Sequence, residues 1–325
     1  MLELLHYSTR AVKRVKITMI KVPGSLITFI FTSLYLLSYS VSLSSEMRIG
    51  VVTGANKGIG KAIATNLACS GKFSHVILGC RDVARGQAAA EEISKLSNHA
   101  CIVSSHQLII GDERTHVSFR QSVQDAFGKV DVLINNAGMA FKGADPTPFE
   151  EQCKPTLDVN FRGTVEFTEE MLPLVRKGDD ARIVNVASKS GYLSQLRSKE
   201  LQRKFSDPSL TKEELLELVD QFEADVKNGN HIARGWGNSN YGLSKLALIA
   251  MTKIWAREET GPGPGPGTGT GIAVNCCCPG YCDTDMTSHK GPRSPSEGAR
   301  NAVIPAVMEN PPRGEFFADF DISTW

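Results

Sequence analysis

Tyr241 and Lys245 are the two residues from which chemistry can be argued first. In Tyr241-Gly242-Leu243-Ser244-Lys245 they stand four apart, a spacing that puts a phenol and an ammonium on one face of a helix. A free phenol, with a pKa of about 10, is a poor proton donor or acceptor at neutral pH, and a nearby cation favours its ionised form. The expectation is that Lys245 brings Tyr241 towards the range useful for general acid–base work. Ser188 follows the apolar run Ile183 to Val186, and Asn135-Asn136-Ala137-Gly138 follows Val130 to Ile134. Asn160 lies in a helical region between them. Polar groups at strand ends suit a crevice where such chemistry takes place.

A second constellation points to a bound dinucleotide. Thr53-Gly54-Ala55-Asn56-Lys57-Gly58-Ile59-Gly60 sits between a short apolar run, Arg48 to Thr53, and a helix-like stretch, Lys61 to Ser70. Glycines there let backbone amides approach a pyrophosphate, and a helix N-terminus favours its charge. The next apolar run, His75 to Cys80, ends without an acid and is followed at once by Arg81. An NAD site usually places a carboxylate on the ribose hydroxyls at that point, whereas a 2′-phosphate needs cations. Arg81 and Lys57 therefore point to NADPH; the alternative is a solvated Arg81 with Asp82 on the ribose.

These groups must be held by a scaffold, and the rhythm of the chain supplies one. Short apolar runs, with Ile272 to Asn275 as a further example, alternate with helical stretches such as Val83 to Leu96. That order builds an α/β fold, a doubly wound parallel sheet of the Rossmann type, as one domain over residues 47–325. Two segments interrupt it. Residues 193–235 form an insertion before Tyr241 with a helix opened by Thr211 and Glu214 in capping-box spacing, its inner side carrying Leu215, Leu218, Val219 and Phe222. Residues 261–271 are a Gly/Pro/Thr loop that can neither continue a helix nor pair as a strand.

Composition narrows the function class. Across 325 residues, 36 Lys plus Arg face 35 Asp plus Glu, so no global field draws the chain to nucleic acid. The eight cysteines follow neither a disulfide framework nor paired metal-ligand spacing, and the consecutive Cys276, Cys277 and Cys278 would alternate across a strand. No metal is expected, and a reducing, cytoplasmic setting is. Residues 1–46 differ: five basic side chains from Arg10 to Lys21 precede an uncharged stretch, residues 22–45, laid out like a signal anchor but interrupted by Ser and Thr. Met47 is an alternative start, and any membrane association would run through residues 22–45.

Taken together, TGANKGIG, NNAG, Asn160, Ser188, YGLSK and Pro279-Gly280 resemble the short-chain dehydrogenase/reductase family, in order and in spacing, from about Met47 to Trp325. Residues 80–87 and 140–149, with the long gap between Ser188 and Tyr241, resemble its monomeric NADPH-dependent carbonyl reductases. The resemblance implies that Tyr241 donates a proton and that Lys245 tunes it and holds the nicotinamide ribose. It further implies that Ser188 bonds the carbonyl oxygen and Asn160 positions a water. It assigns cofactor contacts to Gly54, Asn56, Lys57, Gly58, Ile59, Gly60, Arg81, Asn136, Tyr241, Lys245, Pro279, Gly280 and Thr284. The substrate mouth would be Ser188, Phe141, Gln152 and Tyr281. Small carbonyl compounds are the implied substrates and a monomer the implied state, the inserted helical segment covering the surface that others use to associate.

The chain departs from that subgroup at Ile109, where an adenine-contacting Asp is expected, at Lys189 and Ser190 beside the substrate, at Tyr281 in place of a Trp, and at Asp283 in place of a base. Two other functions are compatible with the same residues. One is a catalytically weak NADP-binding regulator; the other is a membrane-anchored reductase of retinoid- or steroid-like lipids. Cys277 and Cys278, just before Pro279, are either buried hydrophobes or thiols sensitive to quinones.

Overall fold

Val51, Val52, Ile77, Leu78, Leu133 and Ile134 are wholly buried, which is the fate of unbroken apolar runs when both faces of a sheet are covered. A computed structural model describes residues 48–261 and 271–325. The apolar stretch 22–45, with the rest of residues 1–46, and most of the 261–271 loop lie outside the described residues.

The first half alternates β1 (Ile49–Thr53), α1 (Gly58–Ala68), β2 (His75–Cys80), α2 (Val83–Leu96), β3 (Ile102–Gln107), α3 (Glu113–Phe127) and β4 (Val132–Asn135). Then come α4 (Phe149–Leu157), a π-helical turn at Asp158–Arg162, α5 (Gly163–Val175) and β5 (Arg182–Val186). The insertion carries α6 (Lys199–Ser206) and α7 (Lys212–Lys227), and α8 (Asn240–Glu258) bears Tyr241 and Lys245. The chain closes with β6 (Ala273–Cys277), α9 (Pro295–Val307), β7 (Phe316–Ala318) and β8 (Asp321–Ser323).

Strand order is β3-β2-β1-β4-β5-β6-β7-β8, parallel except for the antiparallel β7–β8 pair. The chain runs outward from β1 to β3 and returns to β4 at the other side of β1, so β1 and β4 flank the switch point where an open sheet leaves a crevice. One face is packed by α1, α2 and α9 through Ile63, Leu67, Ile93 and Ala302. The other carries Phe161, Phe167, Trp236 and Trp255.

The insertion is built as its spacing predicts, with one addition. Thr211 Oγ1 accepts from the Glu214 amide at 3.2 Å while Glu214 accepts from the Thr211 amide at 2.9 Å. Leu215, Leu218, Val219 and Phe222 all enter the core. Trp236 locks the segment from behind, its indole N–H donating to buried Asp225 at 2.8 Å. The addition is α6, a short polar helix capped by Ser198.

Candidate active site

The glycine loop is shaped by contacts that only glycine permits. Gly54 and Gly58 have φ of +64° and +56°, a left-handed backbone that costs side-chain-bearing residues. A Cβ on Gly54 would lie 2.9 Å from the Ala137 Cα, and one on Gly60 would lie 2.4 Å from both Asn136 Nδ2 and the Gly54 carbonyl. Helix α1 begins at Gly58, three residues earlier than the apolar periodicity suggests, so Gly58, Ile59 and Gly60 form its first turn. Their free amides therefore face the crevice, a cradle suited to a pyrophosphate.

Asn136 ties this loop to the end of β4. Its amide N–H donates to Thr53 Oγ1 at 2.9 Å, and its side chain donates to the Thr53 and Gly54 carbonyls at 2.9 and 3.3 Å. Thr53 is a site residue that sequence reasoning left out; its hydroxyl also accepts from the Ala137 amide. Asn135 and Asn185, side by side on β4 and β5, share a bond at 2.8 Å and continue it to Thr168 and Thr252. This buried ladder holds the two strand ends that deliver Asn136 and Ser188.

At the end of β2, Arg81 and Asp82 are both exposed, and Asp82 is also engaged. Its carboxylate caps α2 by accepting from the Arg85 amide and sits 3.4 Å from the Arg85 guanidinium. That occupation argues against Asp82 as a ribose ligand and adds Arg85 to the cations at this corner. Lys57 is less free than expected, because its ammonium pairs with Asp285 at 2.5 Å. Asp283, expected to repel a pyrophosphate, accepts from His289 at 2.6 Å, and His289 also reaches Asp285 at 3.0 Å. These two carboxylates raise the His289 pKa. Thr284 stands opposite Gly58, 3.5 Å from where a Cβ would be. Gly280 turns beyond buried Pro279 with φ +83° and packs on Arg293.

Tyr241, Lys245 and Ser188 converge at the C-terminal ends of β4, β5 and β6. The Lys245 ammonium is buried, donates to the Val186 carbonyl at 2.8 Å and lies 5.7 Å from the centre of the Tyr241 ring. Burial pushes the phenol up to about 12, with the neighbouring Ser188 side chain acting in the opposite direction. Burial likewise pulls Lys245 down to about 8. Burial sets both directions, since desolvation disfavours the charged form of each group.

Asn160, fully buried on the π-helical turn, is engaged at both ends. Its Oδ1 accepts from the Met139 amide at 2.7 Å, and its Nδ2 donates to the Met139 carbonyl and to Ser244 Oγ at 2.8 and 3.1 Å. Its side chain clamps the loop after β4 to α8. Gln152 donates to the Thr147 carbonyl at 2.7 Å, and Phe141 is half-buried. Tyr281 is exposed. Lys189 points to Asp319 at 2.5 Å, which also binds Arg293 at 3.0 Å. Ile109 donates its amide to Thr115 Oγ1 at 3.0 Å.

All eight cysteines are free thiols. Cys277 packs with one sheet face, and Cys276 and Cys278 with a separate cluster, the alternation that a strand imposes. Burial raises the Cys277 thiol far above its ordinary range, which opposes a reactive role. Among the described residues, no helix is long and apolar enough to cross a membrane.

Comparison with known proteins agrees with this geometry. The family model described as short chain dehydrogenase matches residues 48–198. Carbonyl reductase (NADPH) 1 of Pongo abelii is 39% identical over 287 residues, covering 87% of this chain and 100% of that protein. Among solved structures, salutaridine reductase from Papaver somniferum superposes with a TM-score of 0.73 at 30% identity, covering 84% of this chain and 99% of that one. Menthone neomenthol reductase from Mentha piperita gives 0.69 at 28%, covering 84% and 98%.

Proposed function

Because the chain belongs to the short-chain dehydrogenase family, we propose that it is an NADPH-dependent carbonyl reductase acting on ketones, aldehydes or quinones. The observation that carries this reading is the meeting of Tyr241, Ser188 and the buried Lys245 ammonium beside a glycine cradle. NADPH, when bound, supplies hydride to a carbonyl carbon.

The protein's own groups manage the charge that appears on the carbonyl oxygen. With its pKa pushed up to about 12, the Tyr241 phenol carries its proton throughout the neutral range and is poised to donate it. Ser188 offers a second hydroxyl to the same oxygen, a preorganised partner that strengthens as charge develops. Lys245, anchored by the Val186 carbonyl, places a cation behind the phenol to hold the phenolate left after proton transfer. Asn160 keeps this arrangement in place through Met139 and Ser244. At the cofactor end, exposed Arg81 and Arg85 with Lys57 favour a 2′-phosphate, and the Asp82 carboxylate is engaged as a helix cap.

Packing of α7 against α4 and α8 supports a monomeric enzyme, with the insertion lying over the helices next to the site. Light scattering on residues 47–325 tests that point, and a stable tetramer would contradict it. The function is tested by following NADPH oxidation with menadione and with an aromatic aldehyde, NADH serving as the comparison. Turnover with NADPH, abolished in Tyr241→Phe and strongly reduced in Ser188→Ala, is expected. Binding of NADPH without turnover of any carbonyl would replace this reading with that of a cofactor-binding regulator.

A further inference from the structure

We infer that Gln195 is a positioning residue that fixes the distance between Ser188 and Tyr241. Its Nε2 donates to the Ser190 carbonyl at 2.8 Å and to the Gly242 carbonyl at 2.9 Å. Ser190 is two residues beyond Ser188 and Gly242 one beyond Tyr241. One amide group therefore bridges the turn that bears the hydroxyl and the helix that bears the phenol.

The surroundings are built to receive this side chain. A Cβ on Gly242 would stand 2.6 Å from Gln195 Oε1 and 2.9 Å from the Ser190 carbonyl. A Cβ on Gly237 would stand 2.8 Å from the Gln195 carbonyl. On the other side, a Cβ on Gly191 would come within 2.7 Å of the Leu246 nitrogen, so the turn after Ser188 lies directly on α8. Three glycines thus allow turn, helix and amide to approach at backbone distance.

Gln195 Oε1 is buried without a partner. Reversing the amide would aim that oxygen at two carbonyls, so the donors decide the orientation. A buried acceptor left bare is unfavourable, and an apolar side chain of similar size would avoid it. What an apolar side chain could not do is join the two carbonyls. Within its turn, the Ser188 hydroxyl accepts from the Ser190 amide at 3.1 Å and the Ser188 carbonyl accepts from the Gly191 amide at 2.8 Å. Moving Ser190 therefore moves the hydroxyl relative to Tyr241, and small displacements of reacting groups are severe in their effect on rate.

This inference rests on the proposed roles of Ser188 and Tyr241, and its test keeps the two apart. Gln195→Ala and Gln195→Glu are made in the full chain and compared with Tyr241→Phe, using NADPH and menadione. For Gln195→Ala, kcat is expected to fall about tenfold to a hundredfold with the KM for NADPH little changed. The primary isotope effect with NADPH deuterated at the transferred position is expected to rise as hydride transfer becomes limiting. Gln195→Glu keeps the shape but, once ionised, offers no donor to either carbonyl; its kcat should drop as pH rises through the carboxylate pKa and recover on acidification. That recovery is a signature general destabilisation would not give, and it decides the matter even if the alanine variant fails to fold. Full kcat in both Gln195 variants, with Tyr241→Phe inactive, would overturn the positioning role alone. Full turnover by Tyr241→Phe would overturn the catalytic reading on which it rests.

Discussion

The Lys57 ammonium on the glycine loop lies 2.5 Å from the Asp285 carboxylate beyond β6, so two sides of the cofactor crevice are joined by an ion pair. An incoming cofactor phosphate must compete with Asp285 for Lys57. Asp285→Asn removes the competitor and one negative charge, and the KM for NADPH is expected to fall. Both partners are more than half exposed, which keeps the change to about two- to fivefold. Steady-state kinetics at low and high salt check it, the difference shrinking as salt screens the pair; a raised KM in Asp285→Asn would show that the carboxylate assists binding.

Arg81 is expected to separate NADPH from NADH. It follows β2 directly, where the neighbouring carboxylate of Asp82 is already engaged by the Arg85 amide. Arg81→Ala should raise the KM for NADPH by roughly tenfold, in keeping with loss of a charge-assisted hydrogen bond. The KM for NADH should stay within about twofold, since no 2′-phosphate is present to lose a contact. Equal losses with both cofactors would make Arg81 a general contributor to folding or binding.

What was legible in the sequence followed how local each cause is. β2 and α2 have the expected bounds because Arg81 and Asp82 form a break and a cap within two residues. The strand Ile102–Gln107 escaped because it lies at the sheet edge with partly exposed polar residues, Ser104, Ser105 and His106, and shows no apolar run. β7 and β8 are three residues each and exist through pairing with β6 and each other. In the site, Tyr241, Lys245 and Ser188 were readable by type and spacing. Their electrostatics were not, because the burial that shifts Lys245 is made by the whole fold, and the side chains that act against it, Cys277 and Cys278, stand more than thirty residues further along the chain. Gln195 carried no signal at all: its meaning comes from two carbonyls brought to it by the fold.

The insertion's capping box should be measurable as stability without a change in chemistry. Thr211→Ala removes the hydroxyl that accepts from the Glu214 amide, at a cost of about 1 kcal/mol. Glu214→Ala removes the reciprocal bond, and the double variant should be less destabilised than the sum, because each half supports the other. Urea denaturation of the four proteins reads this directly. Additive losses would mean that the two bonds act independently.

Lys245 should make activity and stability move in opposite directions over one pH interval. Its folded pKa is pulled down from 10.5 to about 8 by burial. Below about pH 8 the ammonium is present to hold a phenolate; above it the cation is lost, so kcat for carbonyl reduction should fall along an alkaline limb with an apparent pKa near that value. For stability the sign reverses. Between about 8 and 10.5 the unfolded chain binds a proton at Lys245 that the folded chain does not, so this group's contribution to stability rises with pH across that window. The gain is roughly 3 kcal/mol by the usual conversion of a pKa difference. Lys245→Met should remove both trends, lowering activity at every pH and flattening the difference in urea midpoint between about pH 7.5 and about pH 10. If the wild-type alkaline limb instead lies near the ordinary lysine value, the ammonium is better solvated than its burial implies, and the stability difference should vanish with it.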